Sequence, residues 1–174
     1  MASATDYLAL EDGALLAQCD VHTYRASGPG GQKRNKTSSA VRLKHRPTGL
    51  TVVGTESRFQ HENKARALRR LRQAIALHVR RGVNPREYRP SPLLRSCLTD
   101  QARLHVGPRD ARFLPAAGEV LDVLLACRGR LSEAAGLIGT TTASLAAFLQ
   151  SEAKLWRQTN ELRRSLHLKH LQRD

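Results

Sequence analysis

Arg25-Ala26-Ser27-Gly28-Pro29-Gly30-Gly31-Gln32-Lys33-Arg34-Asn35-Lys36-Thr37 is the stretch on which the reading of the fold turns. Three glycines and a proline fill positions 28–31, which forbids a regular element and predicts a tip loop. On its N-terminal side, residues 15–25 read as a strand or an extended entry, with Val21, Thr23 and Arg25 alternating against Asp20, His22 and Tyr24. On its C-terminal side, Val41 and Leu43 alternate with Arg42 and Lys44. The turn Arg46-Pro47-Thr48-Gly49 then leads into Leu50-Thr51-Val52-Val53, a hairpin signature. Over residues 61–81 the period changes. Leu68, Leu71, Ile75 and Val79 fall three and four apart, predicting a helix with one apolar stripe, arginines over much of the remainder and Gly82 as its C-cap.

Farther along, Asn84-Pro85 and Ser91-Pro92 break regular structure, so a linker is expected over 83–95 between a first domain (1–82) and a helical module (96–174). In that module residues 120–127 read as an apolar core helix. Ser132 is the expected cap of a short helix ending at Gly139, and Thr141 or Thr142 that of a last long helix carrying Leu145, Phe148, Leu149, Leu155, Trp156, Leu162 and Leu166. A short helix, a glycine turn and a second helix resemble a helix-turn-helix, although an ordinary helical hairpin packing its own core has the same pattern. The fold class expected is α+β: a small sheet bearing the loop and a packed arginine-rich helix, then an all-α segment.

Charge separates these parts. The chain of 174 residues has a formal net charge of +14, and residues 25–89 hold 17 basic and 3 acidic side chains, a net of +14. Residues 1–24 are at −4 and 90–174 at +4, so the whole excess surrounds the loop. A polyanion, nucleic acid first, is the partner such a field attracts. An anionic membrane would also be attracted, but no run approaches the roughly 18 apolar residues of a spanning helix. A basic surface kept for solubility is the plainer alternative. The first 24 residues contain no basic residue and no long apolar stretch, so neither a secretory signal nor an Arg-rich presequence is expected, and the cytoplasm is the expected location. Cys19, Cys97 and Cys127 are odd in number and lack a CxxC pair, arguing against a disulfide framework or a zinc site and for small buried hydrophobes. No metal or cofactor is expected.

Paired glycines permit a backbone approach that side chains would block, which suits a loop whose N–H groups touch a ligand. Gln32 has one amide, able to donate and to accept, and it does not titrate; it is suited to positioning water or stabilising developing charge, not to acting as a general base. The loop is not a Walker A loop, because Gly31 is followed by Gln32. Standing alone, Gly-Gly-Gln would be an ordinary turn.

It does not stand alone. Ser27-Gly28-Pro29-Gly30-Gly31-Gln32, Asn35, Ser39-Ala40-Val41-Arg42-Leu43, His45-Arg46-Pro47-Thr48-Gly49-Leu50, Ser57-Arg58-Phe59-Gln60 and Asn63 form an ordered series. This series closely resembles the catalytic domain of class I peptide chain release factors, over roughly residues 10–82. The resemblance implies entry into the peptidyl-transferase centre of the large ribosomal subunit and hydrolysis of the ester of peptidyl-tRNA. In that reading Gly30 and Gly31 shape the loop, the Gln32 backbone amide donates to the developing oxyanion or leaving oxygen, and its side chain orients water, with proton transfer left to the tRNA 2′-hydroxyl and ribosomal groups. Arg25, Ser27, Lys33, Arg34, Asn35, Lys36, Arg42, Arg58 and Arg66 are then the expected RNA contacts, positioning the domain on phosphates without reading sequence. Lys33-Arg34 departs from the small or apolar residue the family often has before Asn35, making that flank more cationic.

Few residues precede the loop, leaving no room there for the codon-reading and N-terminal helical domains of stop-codon decoding factors. The expectation is therefore the short release-factor-like subgroup that acts without a codon on stalled ribosomes or separated large subunits. Such factors commonly end in a Lys/Arg-rich tail, whereas residues 154–174 hold Leu155, Trp156, Leu162 and Leu166 in helical register. A helical module that binds rRNA, tRNA or a protein partner is expected in its place. Two alternatives use the same features: a noncatalytic rRNA-binding or ribosome-binding protein, and a DNA-binding protein acting through residues 131–166.

Overall fold

Alternation of Val41, Leu43 and His45 with Arg42 and Lys44 makes β2 (Ala40–His45) a strand with one buried and one exposed face. It lies at the centre of a three-stranded antiparallel sheet between β1 (Cys19–Tyr24) and β3 (Thr51–Gly54), in the order β1-β2-β3. The register pairs Cys19 with His45, Val21 with Leu43 and Tyr24 with Ala40 on one side, and Val41 with Gly54 and Leu43 with Val52 on the other. The computed structural model describes residues 3–25 and 39–172. These divide into two compact units, residues 6–75 and residues 76–172 with 3–5. The architecture is α+β in the first unit and helical in the second.

In the first unit, Gly49 turns the β2–β3 hairpin with φ +71°, in the left-handed region, and its N–H donates to the His45 carbonyl at 2.8 Å. His45 is fully buried beneath this turn. Gln18 Oε1 can only accept, so His45 Nε2 donates to it at 3.1 Å, which leaves Nδ1 to accept from the Thr48 hydroxyl at 2.8 Å. Burial, followed by the nearby Arg46 charge, disfavours the charged ring and lowers its pKa below the ordinary 6.5. A lowered histidine pKa contributes stability that is present above the unfolded value and is lost as pH falls through 6.5. Unfolding free energy is therefore expected to fall between pH 7.5 and 5. The slope should be visibly flatter in His45→Gln, measured by denaturant titration at each pH; identical slopes would refute the assignment.

The segment 15–25, expected as a strand or an extended entry, is split. After α1 (Ala4–Leu8), residues 12–17 form α2 (Asp12–Ala17), and only Cys19 onward is extended. Leu15 is the fully buried residue of this short helix, and the Cys19 thiol donates to its carbonyl at 3.3 Å. Arg72 fixes the turn before it, donating to the carbonyls of Leu8 and Leu10 and to Asp12. The arginine-rich helix α3 (Gln60–His78) buries Leu68, Leu71 and Ile75 of the expected stripe, with Ala67 beside them, whereas Val79 lies beyond its end and is only partly buried. It ends at His78, so Gly82 is not its cap. Beyond it Arg80 donates to the Gly118 carbonyl and the Arg81 N–H donates to Asp122.

The second unit packs α4 (Pro92–Ser96), α5 (Phe113–Ala126), α6 (Leu131–Ile138), α7 (Thr142–Gln150) and α8 (Ala153–Ser165) around one apolar core. Helix α5 is buried all round from Ala116 to Leu124, including two carboxylates. Glu119 accepts from the Tyr88 hydroxyl, the Ser91 N–H and the Ser91 hydroxyl, and Asp122 accepts from Arg80 and Arg81. Burial raises the Asp122 carboxyl and lowers Arg80, each against its charged form, so this pair fixes geometry more than it adds stability. Residues 83–95 supply Tyr88 and Leu94 to the same core, and Ser91 caps α4 by accepting from the Leu94 N–H.

Ser132 lies inside α6, whose N-cap is Arg130. Gly139 ends that helix at φ +82°, and the Thr141 hydroxyl caps α7 by accepting from the Ser144 N–H, both as expected. The last long helix is in fact two, because the Glu152 carboxylate accepts from the Leu155 N–H and starts α8 afresh. All three cysteines are buried and free, and burial pushes each thiol pKa up. Among the described residues no helix is long and apolar enough to cross a membrane.

Candidate nucleic-acid interface

The pair Tyr24 and Ala40 closes the β1–β2 ladder, so residues 25–39 leave from its end and return to it. Gly30, Gly31 and Gln32, with Ser27, Lys33, Arg34, Asn35 and Lys36, lie outside the described residues. What the structure describes is the frame that carries them.

Asn63, in the first turn of α3, is completely buried. Its amide nitrogen donates to the Ser39 and Ser57 carbonyls, both at 2.8 Å, and its Oδ1 accepts from the Ser57 N–H at 2.9 Å. One side chain therefore ties the returning stalk of the loop, through Ser39, to the β3–α3 connection and the helix. Close backbone approach makes this possible. A Cβ on Gly54 would stand 2.2 Å from the Asn63 carbonyl oxygen, so only glycine fits where β3 passes the start of α3.

Four of the expected RNA contacts are described. Arg25 is exposed at the foot of the loop and makes no hydrogen bond or ion pair with the described residues. Arg42 is exposed on the outer face of β2, its guanidinium 5.3 Å from the centroid of the Tyr24 ring. Arg58 lies 4.8 Å from the Phe59 ring centroid, and that ring, 44% exposed, is 5.6 Å from the His61 ring. Arg66 is half-buried and ion-paired with Glu62 at 3.7 Å. Arg25 and Arg42 thus gather at the ladder end, while Arg58 belongs to an exposed aromatic cluster beyond β3.

Sequence reasoning did not distinguish α3 arginines that face solvent from those that hold the fold. Arg70 bonds Glu56 and the Val53 carbonyl, holding the Glu56 carboxyl down at about 2, and Arg72 is committed to α2 and the turn before it. Lys64 and Arg69 are exposed with no such partner among the described residues. Acceptors in the connecting turns, Glu56 and Asp12 among them, were the available signal. In the second unit α7, the helix a helix-turn-helix reader would present, contains no Lys or Arg. Among the described residues no group of three or more His, Cys, Asp or Glu is placed to hold a metal ion.

Comparison with known proteins places this frame. Residues 16–96 match the RF-1 domain family. Over 61 residues the chain is 54% identical to peptide chain release factor 1 of Rickettsia akari (strain Hartford) and of Rickettsia bellii (strain OSU 85-389). Those stretches make up 35% of this chain and 17% of each relative.

Proposed function

With an RF-1 domain at residues 16–96 as the premise, we propose that this chain hydrolyses the ester of peptidyl-tRNA in the peptidyl-transferase centre of the large ribosomal subunit, without reading a codon. The observation that carries the proposal is that the matched domain contains Ser27-Gly28-Pro29-Gly30-Gly31-Gln32, on a loop whose ends are fixed by the Tyr24–Ala40 pair and the Asn63 clamp. Gly30 and Gly31 let the backbone approach the ester. The Gln32 N–H donates to the oxygen on which charge develops, and the Gln32 side chain orients the attacking water. Proton transfer falls to the tRNA 2′-hydroxyl and ribosomal groups, so the loop needs no titratable side chain, metal or cofactor. Arg25, Lys33, Arg34, Lys36, Arg42, Arg58 and Arg66, with Ser27 and Asn35, seat the domain on rRNA and tRNA.

The second unit is helical and built on a single apolar core. Its recognition of the stalled particle would use rRNA, tRNA or a protein partner. A cytoplasmic location is part of this proposal. The proposal is tested by measuring release of labelled peptide from three substrates: ribosomes halted on truncated mRNA, isolated large subunits carrying peptidyl-tRNA, and ribosomes paused at a stop codon. Release from either of the first two, with no gain from a stop codon, is the expected result. Release only at a stop codon would overturn codon independence. Salt-sensitive ribosome binding with no release from any substrate would establish the alternative, a noncatalytic rRNA-binding protein that uses this fold to dock.

A further inference from the structure

The release chemistry makes no use of a groove in the second unit, formed where the chain turns back along α8. After Ser165 the backbone reverses at His167, φ +59°, and the Leu166 and Leu168 N–H groups both donate to the Arg163 carbonyl. Arg163 in turn donates to the Lys169 carbonyl, and the Leu171 N–H donates to Asn160 Oδ1 at 2.8 Å. The strap so formed leaves a groove of about 500 Å³ lined by Trp156, Arg157, Asn160, Glu161, Arg164 and His170, among others.

The chemistry of this lining is specific. Asn160 is only 8% exposed, and with Oδ1 committed to Leu171 its Nδ2 donor is left without a partner among the described residues. The Arg164 Nε donates to His170 Nε2 at 3.2 Å, which places the proton of a neutral His170 on Nδ1 and leaves both terminal nitrogens of Arg164 without a partner among the described residues. Arg157 is exposed and makes no hydrogen bond or ion pair with the described residues. Trp156 packs partly against the core and is partly exposed at the groove. The site thus offers an indole, two guanidiniums with free forks, and an amide donor adjacent in sequence to a carboxylate acceptor.

Each feature has a counterpart in one kind of ligand. A nucleobase supplies a flat π face for the indole and an edge on which acceptors and N–H donors sit side by side, meeting Asn160 and Glu161. The phosphates flanking it are the anions that a guanidinium fork binds best. An acidic peptide would satisfy the arginines and accept from the Asn160 amide, but it would be repelled by Glu161 and would leave the indole without a partner. We infer that this groove binds a nucleotide of a single-stranded RNA, its base against Trp156 and its phosphates on Arg157 and Arg164. The choice of RNA over other single strands rests on the ribosomal function proposed above.

Trp156 is the chain's one tryptophan, so its fluorescence reports on this groove alone. The full chain is titrated with an oligouridylate RNA decamer at low salt. The expected result is a saturable quench of Trp156 emission, with Kd raised at least tenfold in the double variant Arg157→Ala/Arg164→Ala, whose exposed positions leave the helical circular dichroism unchanged. Four results would overturn the inference: no quench, a quench insensitive to both substitutions, a quench by uridine monophosphate at the same concentration, or an equal quench by an oligoglutamate decamer. The titration contains no ribosome. A negative result here leaves the release proposal standing, and failure of peptide release leaves this site standing.

Discussion

Gln32→Pro is expected to lower peptide release from ribosomes on truncated mRNA by about 10²–10³-fold, the cost typical of removing one preorganised donor to a developing oxyanion. Proline removes the backbone N–H and no other donor of the loop backbone. Gln32→Ala keeps that N–H and loses only the water-orienting amide, so its release should fall less. The order wild type, then Gln32→Ala, then Gln32→Pro in single-turnover release, at equal ribosome occupancy, separates the backbone role from the side-chain role. Gly31→Ala is the control for shape, because proline also restricts the residue before it. A Gln32→Pro variant as active as Gln32→Ala would mean that the side chain, not the backbone, carries the chemistry.

Asn63→Asp is expected to be the most damaging single-atom change in the first unit. The amide nitrogen that bonds the Ser39 and Ser57 carbonyls becomes an oxygen facing two acceptors, in a site with no exposure. Leaving such groups buried and unpaired costs about 1–3 kcal/mol each, and a buried carboxylate adds its own desolvation, so a loss of about 3–4 kcal/mol is expected at neutral pH. The variant carboxyl would have a raised pKa and could donate once protonated, so part of the loss should return as pH falls toward 5, opposite in sign to the His45 effect. Asn63→Leu has no such recovery. Both variants free Ser39 from α3, so release should fall even at temperatures where circular dichroism shows the fold intact. Undiminished release from folded Asn63→Leu would mean that the loop needs no clamp.

The β2–β3 hairpin was legible because alternation and a glycine turn leave little else for that stretch to be. The same rule misread residues 15–17, since a six-residue helix with one buried leucine is too short to impose a period of its own. In the second unit, Leu145 to Leu162 keep helical spacing straight across a break. The decisive signal was Glu152, an acceptor three residues before a free N–H, and it is indistinguishable in sequence from an ordinary surface glutamate. At the candidate site, Gly30, Gly31 and Gln32 are proposed from their motif and lie outside the described residues, and Asn63 stood out in the sequence only as a member of the series. Its function depends on Ser39, 24 residues away, and no local pattern announces which carbonyls a buried amide will meet. Aromatic partners were missed for the same reason: Tyr24 under Arg42 and Phe59 under Arg58 pair through geometry, not composition.

Commitment of arginines to the fold also changes how binding should respond to ionic strength. A cation that meets a phosphate displaces a condensed counterion, and each such contact adds roughly 0.7–0.9 to the slope of log K against log salt concentration. Arg46, Arg66, Arg70 and Arg72 already face Asp20, Glu62, Glu56 and Asp12, so to reach a phosphate they would have to exchange one anion for another. Among the described residues of the first unit, the side chains positioned to drive ion release are Arg25, Arg42, Lys44, Arg58, Lys64 and Arg69. The salt sensitivity of ribosome binding therefore counts the cations that the fold leaves idle, and it should be shallower than the formal charge of the chain suggests.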